Sequence, residues 1–149
     1  MSAQPTRIRS NRPDDAVRIV EIWCTSVDAT HDFLSAEDRA SIEALVAEHI
    51  PKAELDLLVD EEDPPLAFLK MDGPMIDALF VAGDRLGEGL GSVLLRYALE
   101  DHGATTLEVN EQNPQAVAFY KRWGFEVTDR METDDHGRPY PTLTMTLKE

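Results

Sequence analysis

Three glycines at alternate positions, Gly87, Gly89 and Gly91, stand just before Ser92-Val93-Leu94-Leu95 in the stretch GDRLGEGLGSVLLRYALE, residues 83–100. Glycine admits positive φ and lets backbone N–H groups approach a ligand with no Cβ in the way. Where a helix follows, the free N–H groups of its first turn and the positive end of its dipole complete an anion site. The chemistry this spacing allows is main-chain binding of a phosphate or pyrophosphate. The plainer alternative is a tight strand-to-helix turn. A P-loop needs a lysine before the Ser/Thr at the helix start, and Gly91-Ser92 has none. A dinucleotide fingerprint needs G-x-G-x-x-G in the first βα unit. Here the spacing is G-x-G-x-G, and it follows several antiparallel strands.

Other residues could move protons. Histidine has an ordinary pKa suited to base work; His31 stands beside Asp32 and Phe33 in DATHDFL, which reads as a loop, where a histidine is more often simply solvated. His31, His49, His102 and His136 are scattered with no close pair at ligand spacing, so no metal is expected. No G-x-S-x-G or comparable nucleophile context occurs. Cys24, the single cysteine, cannot form an internal disulfide. It falls among apolar residues of a helical pattern and is expected in the core, in a reducing, cytoplasmic compartment.

The elements that must position these groups alternate along 149 residues, a length that fits one domain with a full core. Residues 6–11 read as a short strand. Pro13-Asp14-Asp15 opens a helix whose apolar positions Ala16, Ile19, Val20, Trp23 and Val27 recur at helical spacing. Ser35 to Asp38 resembles a capping box, and Ile42, Leu45, Val46 and Ile50 mark a second helix. Residues 54–61 and 66–72 read as a hairpin, and 75–82 as a largely apolar strand. A helix over 90–102 follows the glycine turn, then a strand over 105–110. Asn113-Pro114 is a strong helix start, and Gly124 is the expected C′ residue. Residues 125–133 and 140–148 close the chain as an antiparallel pair. The order is β-α-α-β-β-β-α-β-α-β-β, mixed α/β around one sheet. The ligand site belongs around residues 75–110, where strand ends and helix N-termini converge.

The formal net charge is −15. Nucleic-acid binding draws most of its affinity from Lys and Arg, so a chain this acidic with no basic stripe is not expected to bind nucleic acid. The charge favours cationic acceptors or simply keeps a surface solvated. No apolar run is long enough to span a bilayer, so no membrane association is expected.

The segment VAGDRLGEGLGSVLL resembles the R/Q-x-x-G-x-G/A motif of the GNAT superfamily of acyl-CoA N-acyltransferases, and LEVNEQNPQAVAFYKRWGFEV resembles the motif that follows it. The matching residues of the second are Val109, Asn113, Ala116, Phe119, Tyr120, Gly124 and Phe125. The two occur in the right order and spacing, and the resemblance covers the whole chain. TSVDATHDFLS (25–35) and GRPYP (137–141) further resemble small stand-alone bacterial members.

The resemblance implies a mostly antiparallel twisted sheet with a splayed parallel strand pair and about four helices. It implies an N-acetyltransferase that moves the acetyl group of acetyl-CoA directly to a primary amine in a ternary complex. Leu79, Phe80 and Val81 would meet the pantetheine arm through main chain. The turn of Arg85, Leu86, Gly87, Glu88, Gly89, Leu90, Gly91 and Ser92 would wrap the pyrophosphate. Asn113, Ala116 and Phe119 would line the cofactor. Tyr120 would protonate the leaving thiolate, its phenol being neutral at pH 7; its plainer role is a core aromatic. A backbone N–H of the splayed strand would hold the oxyanion.

The base is left among Asp77, directly or through water, and His31; strand alternation places Asp77 on the face of Leu79 and Val81. Asn110 would orient substrate or water. Trp23, His31, Asp32, Phe33 and Tyr140 would line the acceptor side. The acceptor is an amine, either a small molecule or a protein lysine or N-terminus, and the protein a monomer or homodimer. Leu86 departs from the usual Arg or Gln, which favours an alternative: a weakly catalytic acyl-CoA-binding or interaction module.

Overall fold

The computed structural model describes residues 6–30, 34–61, 64–134 and 137–148. Seven strands form one sheet: β1 (Arg7–Ser10), β2 (Asp56–Val59), β3 (Pro65–Asp72), β4 (Met75–Val81), β5 (Thr106–Asn110), β6 (Phe125–Met131) and β7 (Thr142–Leu147). Their spatial order is β1-β2-β3-β4-β5-β7-β6. Pairing is antiparallel except between β4 and β5. β6 and β7 do close the sheet as an antiparallel pair, with β7 inserted beside β5 and β6 left at the edge.

Four α-helices cover the sheet: α1 (Ala16–Thr30), α2 (Ala36–His49), α3 (Leu90–Asp101) and α4 (Pro114–Arg122). Each begins where local chemistry favours it. The Ser35 hydroxyl accepts from Asp38 N at 3.1 Å to start α2, and Asn113 Oδ1 accepts from Ala116 N at 3.3 Å to start α4; both satisfy donors the helix cannot. α1 is preceded by a 3₁₀ turn at Pro13–Asp15. It also outlasts its expected end, continuing through Asp28-Ala29-Thr30 into what reads as loop. Arg39 of α2 reaches across to both carboxylate oxygens of Asp28, at 2.6 and 3.1 Å, which fixes this last turn.

Strand alternation divides the core into two layers. Leu58, Leu69, Ile76, Val81, Leu107 and Met145 face α3 and α4, with Leu94, Leu95, Tyr120 and Phe125. Leu57, Val59 and Phe68 face the other way and pack with Ile19, Ile22, Trp23 and Val27 of α1. Cys24 is half-buried at the margin of this second layer, not inside it. Burial, with the Glu43 carboxylate next in weight, pushes its thiol pKa up.

One irregularity matters for the site. Lys70 pairs with Ala78 and Met71 with Ile76, so Asp77 is the extra residue of a bulge in β4. Ile76 belongs to the α3/α4 layer, whereas Ala78 already faces the α1 layer. Strict alternation is broken at this point, and with it the expectation that Asp77 shares a face with Leu79 and Val81. The extra residue shifts the phase of the strand.

After β4 the chain turns against α1. Gly83 N donates to Thr25 Oγ1 at 3.0 Å. A Cβ at position 83 would stand 2.4 Å from the Thr25 carbonyl oxygen, so only glycine lets the turn sit this close. Gly83→Ala is expected to force α1 from the turn and cost roughly 1–3 kcal/mol, read as a lower urea midpoint with unchanged slope.

Candidate active site

The β4–β5 ladder holds only two pairs, Met75–Thr106 and Ile76–Leu107. Beyond them β4 runs on to Val81 and β5 to Asn110, so the strands diverge and the edge of β4 that faces β5 has no strand beside it. A cleft of about 430 Å³ opens along this edge. Its floor is Leu79, Phe80 and Val81; the glycine turn closes one end, α4 one wall, and Ser26 and Thr30 of α1 another.

The turn leaves main-chain donors uncovered. Gly87 and Gly89 have φ of 84° and 83°, a left-handed backbone that side chains with Cβ rarely adopt. Gly89 is the N-cap of α3 and supplies no side-chain cap. The first helical N–H groups of α3 are therefore left for a ligand, at the positive end of the helix dipole. Arg85, Leu86, Gly87, Gly89, Leu90, Gly91 and Ser92 all line the cleft. Glu88 does not; its carboxylate turns back to Arg85 at 3.3 Å. Leu86 is 43 % exposed.

Tyr120 stands at the junction of this cleft and a smaller cavity of about 120 Å³. It is 8 % exposed and packs edge-on against Phe119 and Phe125, at 5.3 and 6.1 Å between centroids. Its hydroxyl makes no hydrogen bond to any described residue. Burial alone pushes the phenol up to about 12, because removing water penalises the phenolate. The group is a proton donor throughout the physiological range.

The smaller cavity lies in the fork between β4 and β5. Asp77, Glu108, Asn110, Asn113, Ala116 and Tyr120 line it among others. Asp77 is salt-bridged to Lys70 at 2.6 Å. Asn110 Oδ1 accepts from Gln112 N at 3.0 Å, which fixes the amide. Among the described residues charge is partitioned between the two spaces: the large cleft is lined by Arg85 and Arg122 and no carboxylate, the small cavity by Glu108 and by Asp77, which Lys70 pairs from outside the lining.

The structure brings the residues expected at the cofactor together around the cleft, apart from Glu88. It separates others. Trp23 is buried in the second layer beneath the Arg39 guanidinium, 5.7 Å from its ring, and lines neither cavity. The helical repeat that puts Ile19, Trp23 and Val27 on one face turns it inward. Tyr140 also lines neither cavity; its hydroxyl donates to Asp38 and accepts from Ser35 N at 3.3 Å, tying the start of α2 to the approach to β7. His31, Asp32 and Phe33 lie outside the described residues.

Ser26, Thr30, Glu108, Gln115 and Arg122 line the cavities without having been singled out in the sequence. Gln115 and Arg122 stand four before and three after Phe119, a helical spacing that would have revealed them. Ser26 carries no such signal, since its place depends on how α1 docks.

The sheet order with its β4–β5 fork and the glycine turn before α3 is the fold of the N-acetyltransferase class. The family description "Acetyltransferase (GNAT) domain" matches residues 36–147, and the chain belongs to that family. Peptidyl-lysine N-acetyltransferase YjaB of Escherichia coli (strain K12) is 50 % identical over 138 residues, 93 % of this chain and 94 % of its own length. The protein of the same name from Salmonella typhimurium (strain LT2) is 46 % identical over 138 residues, 93 % of this chain and 95 % of its own. The solution structure of apo-form YjaB from Escherichia coli superposes with a TM-score of 0.91 at 48 % identity, covering 95 % of this chain and 97 % of that one.

The Tyr120 shift has a measurable sign. An unfolded tyrosine ionises near pH 10, while the native phenol holds its proton to about pH 12. Its contribution to stability is present below pH 10 and is lost as pH rises from 10 through 12. Tyr120→Phe should therefore show a shallower loss of unfolding free energy over that interval than the parent, followed by urea melts at each pH.

Proposed function

We propose that this N-acetyltransferase takes acetyl-CoA in the large cleft and the ε-amine of a peptidyl lysine at the small cavity. The partition of charge carries the reading. A chain of net charge −15 holds a polyanion best where carboxylates are few and local donors are present, as along the described lining of the large cleft. An ammonium group is drawn to the cavity that carries Glu108 and Asp77, where it would share Asp77 with Lys70. The relatives named for peptidyl-lysine acetylation support this choice of acceptor.

Acetyl-CoA supplies the activated thioester. The β4 edge at Leu79–Val81 gives main-chain hydrogen bonds to its arm, and one N–H there stabilises the oxyanion. The glycine turn and the α3 N-terminus hold the pyrophosphate, with Asn113, Ala116 and Phe119 alongside. Tyr120 donates its proton to the departing sulfur. Asp77 takes the proton of the incoming amine, directly or through water, and Asn110 orients that exchange. His31, with Asp32 and Phe33, is the second candidate for the base and for the acceptor wall. Both substrates are held in one fork, so orientation supplies much of the rate. We place the reaction in the cytoplasm, in one domain acting as a monomer or homodimer.

A second reading, an acyl-CoA-binding module with little turnover, draws on Leu86. Incubation with acetyl-CoA and lysine peptides, followed by thiol release and peptide mass, separates the two. Coenzyme binding without peptide-dependent release selects the module, and the absence of both sinks the pair. Tyr120→Phe should lower kcat by about a hundredfold with little change in CoA affinity; a normal rate removes Tyr120 from the mechanism. Leu86→Arg should tighten CoA binding by roughly tenfold, the equivalent of one charge-assisted hydrogen bond, measured by calorimetry.

A further inference from the structure

Most of the described arginines of this chain are held by carboxylates. Arg9, Arg18, Arg39, Arg85, Arg130 and Arg138 each hold a carboxylate. Lys52, in the turn after α2, and Arg96, Lys121 and Arg122 pair with no described carboxylate, although the chain has 29 acidic residues. The last three lie on α3 and α4, the helices that follow the glycine turn and β5.

Arg122 lines the cleft itself, on the same stripe of α4 as Gln115 and Phe119. Arg96 follows the cleft-lining Ser92 by one helical turn. Its guanidinium stacks over the ring of Trp123, 5.8 Å from the centroid, and Trp123 is the residue after Arg122. Trp123 thus links the two: Arg96 stacks on its ring, and Arg122, which lines the cleft, precedes it in the chain. Stacking on an aromatic face leaves the N–H edge of a guanidinium free to bind an oxyanion.

Coenzyme A carries two separate anionic groups, the pyrophosphate and a 3′-phosphate monoester on its ribose. The glycine turn and the α3 N-terminus answer the first, and Arg85 beside them is engaged by Glu88. The monoester has the higher charge density, and the acidic background repels it unless a cation stands near. Guanidinium groups bind phosphate oxygens in pairs of parallel hydrogen bonds.

We propose that Arg122, with Arg96 beside it, is the subsite for the 3′-phosphate of coenzyme A and makes the protein select coenzyme A over 3′-dephospho-coenzyme A. This rests on the assignment of the large cleft to coenzyme A, and it adds a recognition element at the adenosine end.

Calorimetric titration of the parent, Arg122→Ala, Arg96→Ala and the double variant with both ligands tests it without any turnover. Both side chains are exposed, and thermal melts verify that folding is retained. The parent should bind coenzyme A about tenfold tighter than the dephospho form. Arg122→Ala should lose most of that preference, Arg96→Ala part, and the double variant all of it, with dephospho-coenzyme A affinity unchanged throughout. Equal affinity of the parent for both ligands overturns the subsite while leaving the cleft assignment standing. So does a preference that survives in the double variant, or an equal weakening of both ligands, which would move Arg122 to the pyrophosphate. Failure of the parent to bind either ligand removes the cleft assignment and the subsite together.

Discussion

Strands β4 and β5 exchange pairs only at Met75–Thr106 and Ile76–Leu107 before they part, and the rest of the site depends on that early end. A parallel ladder carried to Val81 would satisfy the β4 edge and fill the space with sheet. Stopping it leaves main-chain groups that a buried position cannot leave unanswered without a cost of order 1–3 kcal/mol each. The fork is held open from both sides. β3 pairs with β4 along its whole length, and β7 pairs with β5 from Thr106 to Asn110. Neither diverging strand can close the gap without breaking its outer ladder. The inserted position of β7 is therefore part of the site, although none of its residues touches either cavity.

Around that fork the packing brings unlike chemistries to adjacent spaces. α4 contributes Tyr120, which stands between them with a phenol that keeps its proton. α3 contributes a helix end without a side-chain cap. The bulge at Asp77 aims a carboxylate at the small cavity and towards Lys70 on the α1 face of the sheet. The thread from sequence to function runs through backbone irregularities: two positive-φ glycines, a bulge and a ladder that stops.

These irregularities also mark the limit of what the sequence discloses. Helices and strands were legible because apolar spacing and caps act locally: Ser35, Asn113 and Gly124 each stand at the boundary their chemistry predicts. The cleft floor at Leu79–Val81 and the glycine turn were legible from two motifs. Asp77's face was not, because a bulge is set by how β3 and β4 register against each other, and alternation assumes no bulge. Trp23 and Tyr140 could not be located from residue type alone. An aromatic side chain suits a substrate wall and a core equally well, and only the docking of α1 and the hydrogen bond to Asp38 decide between them. Ser26 came into view when α1 docked beside the large cleft, and Glu108 when β5 met β4 in the fork.

The main-chain character of the β4 edge has a consequence for how such a protein changes over time. Substitution alters side chains and leaves amide groups in place, so a ligand gripped by amides is largely indifferent to drift in the residues that bear them. The side chains that line the fork enjoy no such protection, since every exchange there alters shape or charge. One half of the site is thus insulated from mutation while the other is open to it. A lineage built on this plan can explore new acceptors without first giving up its hold on the donor.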